Sequence, residues 1–571
     1  MAHIQTDNCT TMWGRWRRNA ERHPSRDAII HWLAEGDPFR WTFAALIEAA
    51  ERCAATLLEN GIQPGEVCAL IVRHDPRLYP LYLGCVRIGV IPAILAYPNA
   101  RLHPDKFRQG LEGMSHRSGL DWILTERDLE PTIRPLIGNV GTTGSTIQGV
   151  RFPFEWDFQS RLGSEALARQ SRIHDGISAS DPLLLQHSSG TTGLQKPVLL
   201  SHIAVQEHIN RYAKVLRLGD QDKIVNWLPL YHDMGLIAAF HLPLASGIPT
   251  VQISPFEWVT FPSILLDVVS RERGTISWLP NFAFDMMADK VRDADLENID
   301  LKSWRLIINC SEPIRDESHQ KFRKRFHAFG LGENSIATCY AMAEATFAVT
   351  QSVPDSQPIV LGVNRAELAK GTVSMAAGES EARLCVSSGS LIPGCDVRIV
   401  NDVGLDFPEG VVGEFAIRSV SMFDGYRNYP EKTAEVLRDG WYYSGDLGFK
   451  YGTDFFVIGR KKDIIIVAGN NIYPEDVESA IGTVSGVIPG RVVAFGEDDK
   501  TMGTECLCIM AETSIADASG QKQLRIDILK AGMAIDVSIT NIYLVPPRFL
   551  IKSSSGKPSR QANKDRVGLI S

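Results

Sequence analysis

One short run of hydroxyl side chains and glycines has the residue types and the spacing for phosphate chemistry. It reads Leu185-Gln-His-Ser-Ser-Gly-Thr-Thr-Gly-Leu-Gln-Lys196. Glycines let a backbone approach a ligand closely, hydroxyl and amide groups donate hydrogen bonds, and the lysine adds a positive charge. Such a loop can wrap a polyphosphate, although its spacing differs from the Walker pattern G-x-x-x-x-G-K-[ST]. Considered alone, a Ser/Thr/Gly run is usually a plain turn, so other segments must decide.

Three later segments give this run its meaning. They are Tyr443-Ser-Gly-Asp446, Gly459-Arg-Lys-Lys-Asp463 and Ser553-Ser-Ser-Gly-Lys557. In this order, the four segments resemble those of the acyl-adenylate-forming (ANL) superfamily, whose members use ATP to activate carboxylic acids. The resemblance covers about residues 13 to 565. It implies an enzyme that binds ATP and Mg²⁺.

Activation of a carboxylate by ATP poses a charge problem. A carboxylate anion must attack an α-phosphorus atom that is already surrounded by negative oxygens. The site therefore needs a cation near the α-phosphate, a metal ion for the departing pyrophosphate and rigid positioning of both reactants. The resemblance supplies a candidate for each of these roles.

The nucleotide contacts implied by the resemblance come from the hydroxyl-rich loop, an adenine-side turn, a segment beside the nucleotide, and two later residues for the ribose and phosphates. A carboxylate such as Asp446 can accept hydrogen bonds from both ribose hydroxyls, although an aspartate after glycine is also common in turns. Two positions depart from the family pattern, because Pro197 follows the lysine and Ala341 replaces a glycine. The predicted ATP- and AMP-binding residues are Ser188, Ser189, Gly190, Thr191, Thr192, Gly193, Lys196, Ser311, Glu312, Pro313, Tyr340, Ala341, Met342, Asp446 and Arg460.

The resemblance also implies the catalytic, metal and hinge residues. Lys557 is the expected catalytic lysine that bridges the acyl carboxylate and the α-phosphate, where a solvated tail would otherwise be predicted. Glu344, with Thr191, is the predicted Mg²⁺ site, because one carboxylate plus phosphate oxygens and waters usually holds this ion. His232 is expected to shield or orient the acid, the alternative being a core histidine. Lys462 occupies the position where the family pivots its small domain.

The acid-binding segments resemble those of fatty acyl-AMP ligases. Trp227-Leu-Pro-Leu-Tyr-His-Asp-Met-Gly235 and Trp278-Leu-Pro-Asn-Phe-Ala-Phe284 carry the likeness, and the predicted acyl contacts are Trp227, Asn281 and Phe282. Residues 359 to 386 resemble the insertion that limits the swing of the C-terminal domain in those ligases. The acyl group then passes to the phosphopantetheine thiol of an acyl carrier protein. The alternative for this run is a polar surface loop.

Two other functions remain open. Ile466-Val-Ala-Gly-Asn-Asn-Ile-Tyr-Pro-Glu475 resembles acyl-CoA synthetases about as well, and such an enzyme would transfer the acyl group to free CoA. The departures at Pro197 and Ala341 also allow a non-catalytic protein that binds acyl-adenylates. Retention of Lys557, Glu344 and Asp446 argues against it. The preferred interpretation is a ligase that forms acyl-AMP from a medium- or long-chain fatty acid and releases pyrophosphate.

The composition is that of an ordinary globular enzyme and excludes several other classes. With 44% apolar and 22% charged residues, a net charge of −8 and no long basic run, the chain offers no case for nucleic-acid binding. No apolar run is long enough to span a bilayer, and the N-terminus shows no secretory signal core. The ten cysteines form no C-x-x-C pair, and Cys506-Leu-Cys508 has the wrong spacing for a zinc knuckle. We therefore expect reduced thiols and a cytoplasmic location.

Apolar periodicity predicts the elements that must position these residues. Residues 11 to 60 look helical and amphipathic, with the tryptophans near residue 15 fitting a packed helix better than a membrane-surface helix. A strand over 67 to 72, a helix over 78 to 89 and a strand over 90 to 95 begin an alternation that continues to residue 309. This pattern predicts an α/β fold with a largely parallel sheet.

The same pattern predicts the domain organisation. Residues 1 to 460 form a large N-terminal AMP-binding and acyl-binding domain of layered α/β subdomains, with a β-rich subdomain over about 385 to 460. Residues 461 to 571 form a small, mobile α+β C-terminal domain that carries the catalytic lysine.

Overall fold

The computed structural model describes residues 10–33, 35–98, 104–137, 146–157, 162–187, 195–467, 469–499, 504–552 and 558–570. Many of its helices begin where the sequence supplies a cap. Thr42 Oγ1 accepts a hydrogen bond from the Ala45 amide, and Pro474 occupies the first turn of another helix, where its missing amide hydrogen costs nothing. The helices are α1 (Met12–Arg22), α2 (Phe43–Glu59), α3 (Leu78–Arg87), α4 (Pro104–Ser118), α5 (Glu130–Ile133), α6 (Ser164–Asp175), α7 (His202–Val215), α8 (Leu242–Ser246), α9 (Pro255–Thr260), α10 (Ser263–Glu272), α11 (Asn281–Lys290), α12 (Asp316–Phe326), α13 (Arg365–Ala369), α14 (Pro430–Val436), α15 (Pro474–Gly482), α16 (Ala518–Met533) and α17 (Arg560–Lys564).

The strands alternate with these helices in the first half of the chain and follow one another in the second half. They are β1 (Asp27–His31), β2 (Phe39–Thr42), β3 (Val67–Ile71), β4 (Ile91–Ile94), β5 (Trp122–Thr125), β6 (Gly149–Arg151), β7 (Pro182–His187), β8 (Pro197–Ser201), β9 (Ile224–Asn226), β10 (Thr250–Gln252), β11 (Ile276–Leu279), β12 (Leu306–Asn309), β13 (Ile336–Ala341), β14 (Ala348–Gln351), β15 (Val360–Asn364), β16 (Ala382–Val386), β17 (Ser390–Leu391), β18 (Cys395–Val400), β19 (Gly413–Ser419), β20 (Leu437–Arg438), β21 (Trp441–Tyr451), β22 (Asp454–Arg460), β23 (Ile465–Val467), β24 (Asn470–Ile472), β25 (Val492–Asp499), β26 (Thr504–Glu512) and β27 (Ile539–Val545).

The largest sheet has a parallel half and an antiparallel half. Its order is β18-β19-β21-β22-β17-β14-β13-β12-β11-β9-β10-β1-β2. The strands from β13 to β1 run parallel, and those from β14 to β18 pair antiparallel. A second sheet, β4-β3-β5-β6, is wholly parallel. The α/β prediction is confirmed.

Residues beyond 464 pack largely among themselves. The sheet β25-β26-β27 buries one face against α15 and α16 through residues such as Ile481, Ile509 and Ile528. Its other face packs on the segment that follows β27, through Phe549 and Leu550. We refer to residues 461–570 as the small unit and to the preceding residues as the large unit, and the domain boundary itself stays a prediction.

The prediction that residues 11 to 60 are helical is confirmed at both ends of that range and is wrong for its middle. Two helices occupy its ends, but β1 and β2 lie between them and pair antiparallel. The apolar residues of β1 are buried because the strand pairs with β10, a partner more than two hundred residues away in the chain. The preferred interpretation of the first helix, a helix packed through its tryptophans, is confirmed, since Trp13 and Trp16 are both 1% exposed. Within the described residues, no helix is long and apolar enough to cross a membrane.

Candidate active site

The predicted site residues follow the carboxyl ends of adjacent parallel strands. Trp227 follows β9, Pro280 follows β11, Ser311 follows β12 and Met342 follows β13, so their side chains meet at one edge of the sheet. This edge is where open parallel sheets bind ligands. A cavity of about 1150 Å³ opens there, and the antiparallel strands β21 and β22 form its opposite wall.

The cavity gathers most of the predicted residues that the structure describes. Its lining includes Lys196, Trp227, His232, Phe282, Ser311, Glu312, Ala341, Met342, Glu344, Asp446, Arg460 and Lys462. The loop Ser188 to Gly193, which contains Thr191, and the catalytic candidate Lys557 lie outside the described residues. Their roles, like those of the lining residues, stay predictions.

Asp446 is held from two sides, by Arg460 of β22 and by Tyr340 of β13. Its partner across the β21–β22 pair is Arg460, whose Nε lies 3.2 Å from Asp446 Oδ1. The Tyr340 hydroxyl donates to Asp446 Oδ2 over 2.6 Å. The Asp446 charge raises the pKa of Arg460, whereas burial, and then that charge, raises the pKa of Tyr340. The carboxylate is thus fixed in position, as an acceptor for a vicinal diol must be.

Glu344 belongs to a second buried polar group. The side chain is only 6% exposed, and the Tyr426 hydroxyl donates to its Oε1 over 2.7 Å. Lys196 Nζ lies 3.3 Å from the same hydroxyl. Burial lowers the pKa of Lys196, and the nearby Glu344 carboxylate partly offsets that effect. Sequence reasoning missed Tyr426, and the only signal for it was a tyrosine after Gly425.

The turns beside these groups carry unusual backbone conformations. Ser311 has φ 72° and Thr346 has φ 68°, both in the left-handed region that side chains with a Cβ seldom occupy. The Thr346 hydroxyl donates to the Ser421 carbonyl over 2.6 Å and is fully buried. Such strain persists where surrounding contacts enforce it, and it is common at functional sites.

The opposite end of the cavity is apolar. Trp227 stacks on the buried Trp258, with ring centroids 3.6 Å apart and planes 9° apart. Phe256, Val259 and Phe282 complete this end of the lining. Apolar walls of this kind suit a hydrocarbon chain.

Two lysines at the start of the small unit, Lys461 and Lys462, line the cavity next to β21 and β22. Lys461 Nζ donates to Glu414 Oε2 over 2.9 Å, and Glu414 Oε1 accepts the Gly445 amide over 3.0 Å. Lys462 lies in the same short turn and lines the cavity, where burial lowers its pKa. The predicted hinge therefore lies beside the predicted ribose site.

Three predicted residues do not reach the cavity lining. Neither Tyr340, which contacts Asp446 instead, nor Pro313 is among the lining residues. Asn281 is 5% exposed, and its side-chain amide is hydrogen-bonded to residues outside the cavity. Its Oδ1 accepts from Asn309 Nδ2 over 2.9 Å, and its Nδ2 donates to Ser318 Oγ over 3.0 Å. The structure thus places Asn281 beneath the wall that carries Phe282.

Comparison with known proteins identifies this arrangement. Residues 16–427 match the family model described as AMP-binding enzyme. A protein of Mycobacterium tuberculosis named as a long-chain-fatty-acid–AMP ligase, FadD30, is 30% identical over 85% of this chain and 85% of its own length. A protein of Caulobacter vibrioides named as an acyl-CoA synthetase is 27% identical over 91% of this chain and 89% of its own length. The fatty acyl-adenylate ligase of L. pneumophila, solved with acyl adenylate and pyrophosphate, superposes with a TM-score of 0.74 at 27% identity and covers 98% of this chain and 96% of its own.

Proposed function

We propose that this chain, which belongs to the AMP-binding enzyme family of adenylate-forming ligases, joins a fatty acid to AMP in this cavity. Pyrophosphate is released in the same step. The observation that carries the proposal is the polarity of the two ends. One end presents Asp446, Arg460 and Glu344, and the other presents Trp227, which stacks on Trp258 behind it, and the edge-on ring of Phe282. A nucleotide and a hydrocarbon chain fit these ends, and the carboxylate would then lie between them.

The chain's own residues would supply positioning and charge. Asp446 would accept the ribose hydroxyls, and Arg460 would stay beside it as a second polar contact. The fatty acid's carboxylate oxygen attacks the α-phosphorus, the bond to the bridging oxygen breaks, and pyrophosphate leaves with the electron pair. His232 lines the cavity where it can orient the acid. Lys557 is our candidate for the cation that draws the two anions together.

Glu344 fits the part of Mg²⁺ ligand. One carboxylate oxygen accepts the Tyr426 hydroxyl, which leaves the other available, and the residue faces the cavity. Magnesium is commonly held by one or two carboxylates together with substrate phosphates. Bound there with help from Thr191, it would neutralise charge on the triphosphate.

The small unit ties the hinge to the segment that follows the catalytic candidate. Arg560, three residues beyond Lys557, lies 3.1 Å from Asp463 Oδ2 and 2.9 Å from Glu475 Oε1. Asp463 directly follows Lys462. We infer that the hinge exit and the lysine segment move as one body, so that a rotation at Lys462 would carry Lys557 to or from the cavity.

We further propose that the acyl group goes to the phosphopantetheine thiol of an acyl carrier protein. Support comes from contacts between residues 359 to 386 and the start of α15. Arg383 Nη2 donates to Asp476 Oδ1 over 3.0 Å, and its guanidinium lies 4.7 Å from the centre of the Tyr473 ring. Tyr473 packs in the same apolar cluster as Val363 and Leu368 of the insertion. These contacts would restrain the small unit from the larger rotation that free CoA would require.

A second candidate is transfer to free CoA. The run from Ile466 to Glu475 favours it by its likeness to acyl-CoA synthetases, and the C. vibrioides relative bears that name. The two acceptors share the phosphopantetheine thiol, so the cavity alone does not separate them.

One assay series tests both steps. Pyrophosphate release is measured over a panel of straight-chain acids, without acceptor, with CoA, and with a holo-carrier protein. We expect release with medium- or long-chain acids and acylation of the carrier far above that of CoA. Efficient acyl-CoA formation would replace the carrier proposal with the second candidate. Absence of acid-dependent pyrophosphate release would overturn the adenylation proposal.

A further inference from the structure

One face of the sheet β25-β26-β27 carries two cysteines and a glutamate that the adenylation site does not use. Cys506 and Cys508 are alternate residues of β26, so both side chains lie on the same face. Glu497 of β25 is directly opposite Cys506 in the antiparallel pair. The two Sγ atoms are 3.8 Å apart, and Cys508 Sγ is 3.2 Å from Glu497 Oε2. A ligand atom from each residue lies within 4.8 Å of the other two.

These distances are those of a thiophilic metal site. Two Zn–S bonds of about 2.3 Å at a tetrahedral angle place the sulfurs about 3.8 Å apart. A carboxylate oxygen at about 2.1 Å from the same ion would lie roughly 3.6 Å from each sulfur. The Cys508–Glu497 distance needs only a few tenths of an ångström to reach that value. We propose that Cys506, Cys508 and Glu497 bind a thiophilic divalent cation such as Zn²⁺.

The neighbouring strand supplies the outer contacts that such a site needs. Asn541 Nδ2 lies 3.3 Å from Glu497 Oε2, and the Tyr543 hydroxyl donates to the same oxygen over 3.2 Å. Donors of this kind orient a ligating carboxylate. Cys508 is buried, whereas Cys506 and Glu497 are partly exposed, so an ion can enter from solvent. Three protein ligands leave the fourth position to water or an external ligand.

The same geometry argues against a disulfide between the two cysteines. Alternate residues of a strand are about 6.7 Å apart, and their Cβ atoms are similarly spaced. A disulfide requires Cβ atoms about 3.5–4.5 Å apart. Closing the bond would distort β26, which pairs with β25 on one side and β27 on the other. A cation can bridge both thiolates across the existing gap, releasing one proton from each thiol to solvent.

The test uses the metal-free full-length chain. Zn²⁺ is titrated against a chromophoric chelator, and Co²⁺ is titrated while thiolate-to-cobalt charge-transfer absorption is recorded. We expect one equivalent with that absorption and about two protons released per ion near neutral pH. Cys506→Ser and Cys508→Ser should abolish the absorption, and Glu497→Gln should weaken binding about tenfold or more. Cys395→Ser, whose buried thiol faces Ser419 Oγ, is the matched control and should bind as the wild type does.

Three outcomes would overturn the proposal. They are no metal uptake, uptake without thiolate absorption, and an unchanged signal in Cys506→Ser. Divalent ions held by Glu344 in the cavity would give no sulfur absorption, so the two sites are distinguishable. The result is also independent of the proposed function, because none of the three ligands lines the cavity.

Discussion

The large and the small unit differ in the hydrophobic clusters that hold their residues in place. The main core of the large unit is a cluster that runs from Met12 to Phe455 and includes Trp227 and Tyr442 of the cavity lining, and a second cluster packs around β3, β4 and β5. The small unit has separate clusters of its own and meets the large unit at the start of α15. There Arg383 donates to Asp476, and Arg315 donates to the Glu475 carbonyl over 2.9 Å and to Ser479 Oγ.

The difference fits the proposal that a fixed site in the large unit works with a small unit that moves. A large apolar cluster is lost only by unfolding, so residues such as Asp446 keep their positions. Two arginines and one aromatic ring can exchange partners at modest cost. We call the contacts between the two units at the start of α15 the joint. The joint is closely packed, because a Cβ at Gly459 would lie 3.0 Å from the Tyr473 ring. We therefore expect changes in the contacts at the start of α15 to alter acceptor choice without damage to the cavity.

The largest effect that separates the two units is that of pH on folding. Burial lowers the pKa of His31, His187 and His202 from 6.5 to about 4. Between those values the unfolded chain binds more protons than the native one, so stability falls as pH drops from 6.5 towards 4. Each histidine shifted this far lowers the free energy of unfolding by about 3 kcal/mol over that pH range. Several such losses together are comparable with the whole stability of a domain. Every histidine of the chain precedes residue 328.

The small unit should respond in the opposite direction. Burial raises the pKa of Glu478 to about 7, so the native small unit gains relative stability as pH falls from 7 towards the ordinary value of about 4.5. All eleven tryptophans precede residue 442, so their fluorescence reports the large unit alone. We expect urea midpoints from this signal to fall sharply between pH 7 and pH 5. The exposed His327→Gln should keep the slope, and His31→Gln should reduce it. A pH-independent midpoint would show that the buried histidines do not distinguish the units.

The next largest effect concerns Lys557, the lysine that we propose the small unit brings to the cavity. Lys557→Ala should slow pyrophosphate release a few hundredfold, since a positioned charge is worth about 3–4 kcal/mol in the transition state. Lys564→Ala in α17 removes a lysine of the same unit and should have little effect. Near wild-type release from Lys557→Ala would mean that the large unit alone performs the chemistry.

A smaller effect is expected on the fixed wall. Asp446→Asn keeps the size of the side chain and can keep the Tyr340 contact, but it removes the charge. Loss of a charged hydrogen-bond acceptor costs about 2 kcal/mol, so KM for ATP should rise roughly thirtyfold while folding is retained. The exposed Asp396→Asn, whose partner is Arg418, is the matched control. An unchanged KM would remove Asp446 from the ribose site.

Sequence reasoning succeeded where local patterns and order along the chain carry the information. Short apolar runs between helices predicted the parallel sheet, and the order of the motifs brought Ser311, Ala341 and Asp446 to the same cavity. It failed over residues 11 to 60, because β1 becomes a strand only by pairing with β10. The acyl contact of Asn281 stays a prediction, and the structure places its side chain in a hydrogen bond with Asn309 beneath the wall that carries Phe282.

What remained hidden was contact between residues far apart in the chain. Tyr426 meets Glu344 across eighty-two residues, and Arg383 meets Asp476 across ninety-three. Cys506 and Cys508 have the wrong spacing for a zinc knuckle. Strand alternation nevertheless puts both on one face of β26, and strand pairing puts Glu497 beside them. Such pairs follow from strand register and domain packing, which periodicity along one segment does not specify.

The smallest expected effect addresses the joint itself. A hydrogen bond between partly buried charged groups contributes about 1.5 kcal/mol, roughly tenfold in an equilibrium. Arg383 and Asp476 are 15% and 36% exposed, so this value applies to their contact. If the contact restrains the small unit, Arg383→Gln should raise acyl transfer to free CoA about tenfold and leave acid-dependent pyrophosphate release within about twofold. Arg418→Gln, which breaks an exposed pair within the large unit, should change neither rate.

A double-mutant cycle shows whether the pair acts as a unit. Asp476→Asn should reproduce the gain in CoA transfer, and the double variant should show no more than either single change, because each alone already removes the interaction. Additive gains would mean that the two residues act separately, through packing on Tyr473 or elsewhere. No gain in any variant, with adenylation intact, would place the restraint in the apolar contacts of Val363 and Leu368 with that ring. Arg383 would then contribute only packing between the two units. Acceptor choice would depend on the buried apolar contacts around Tyr473.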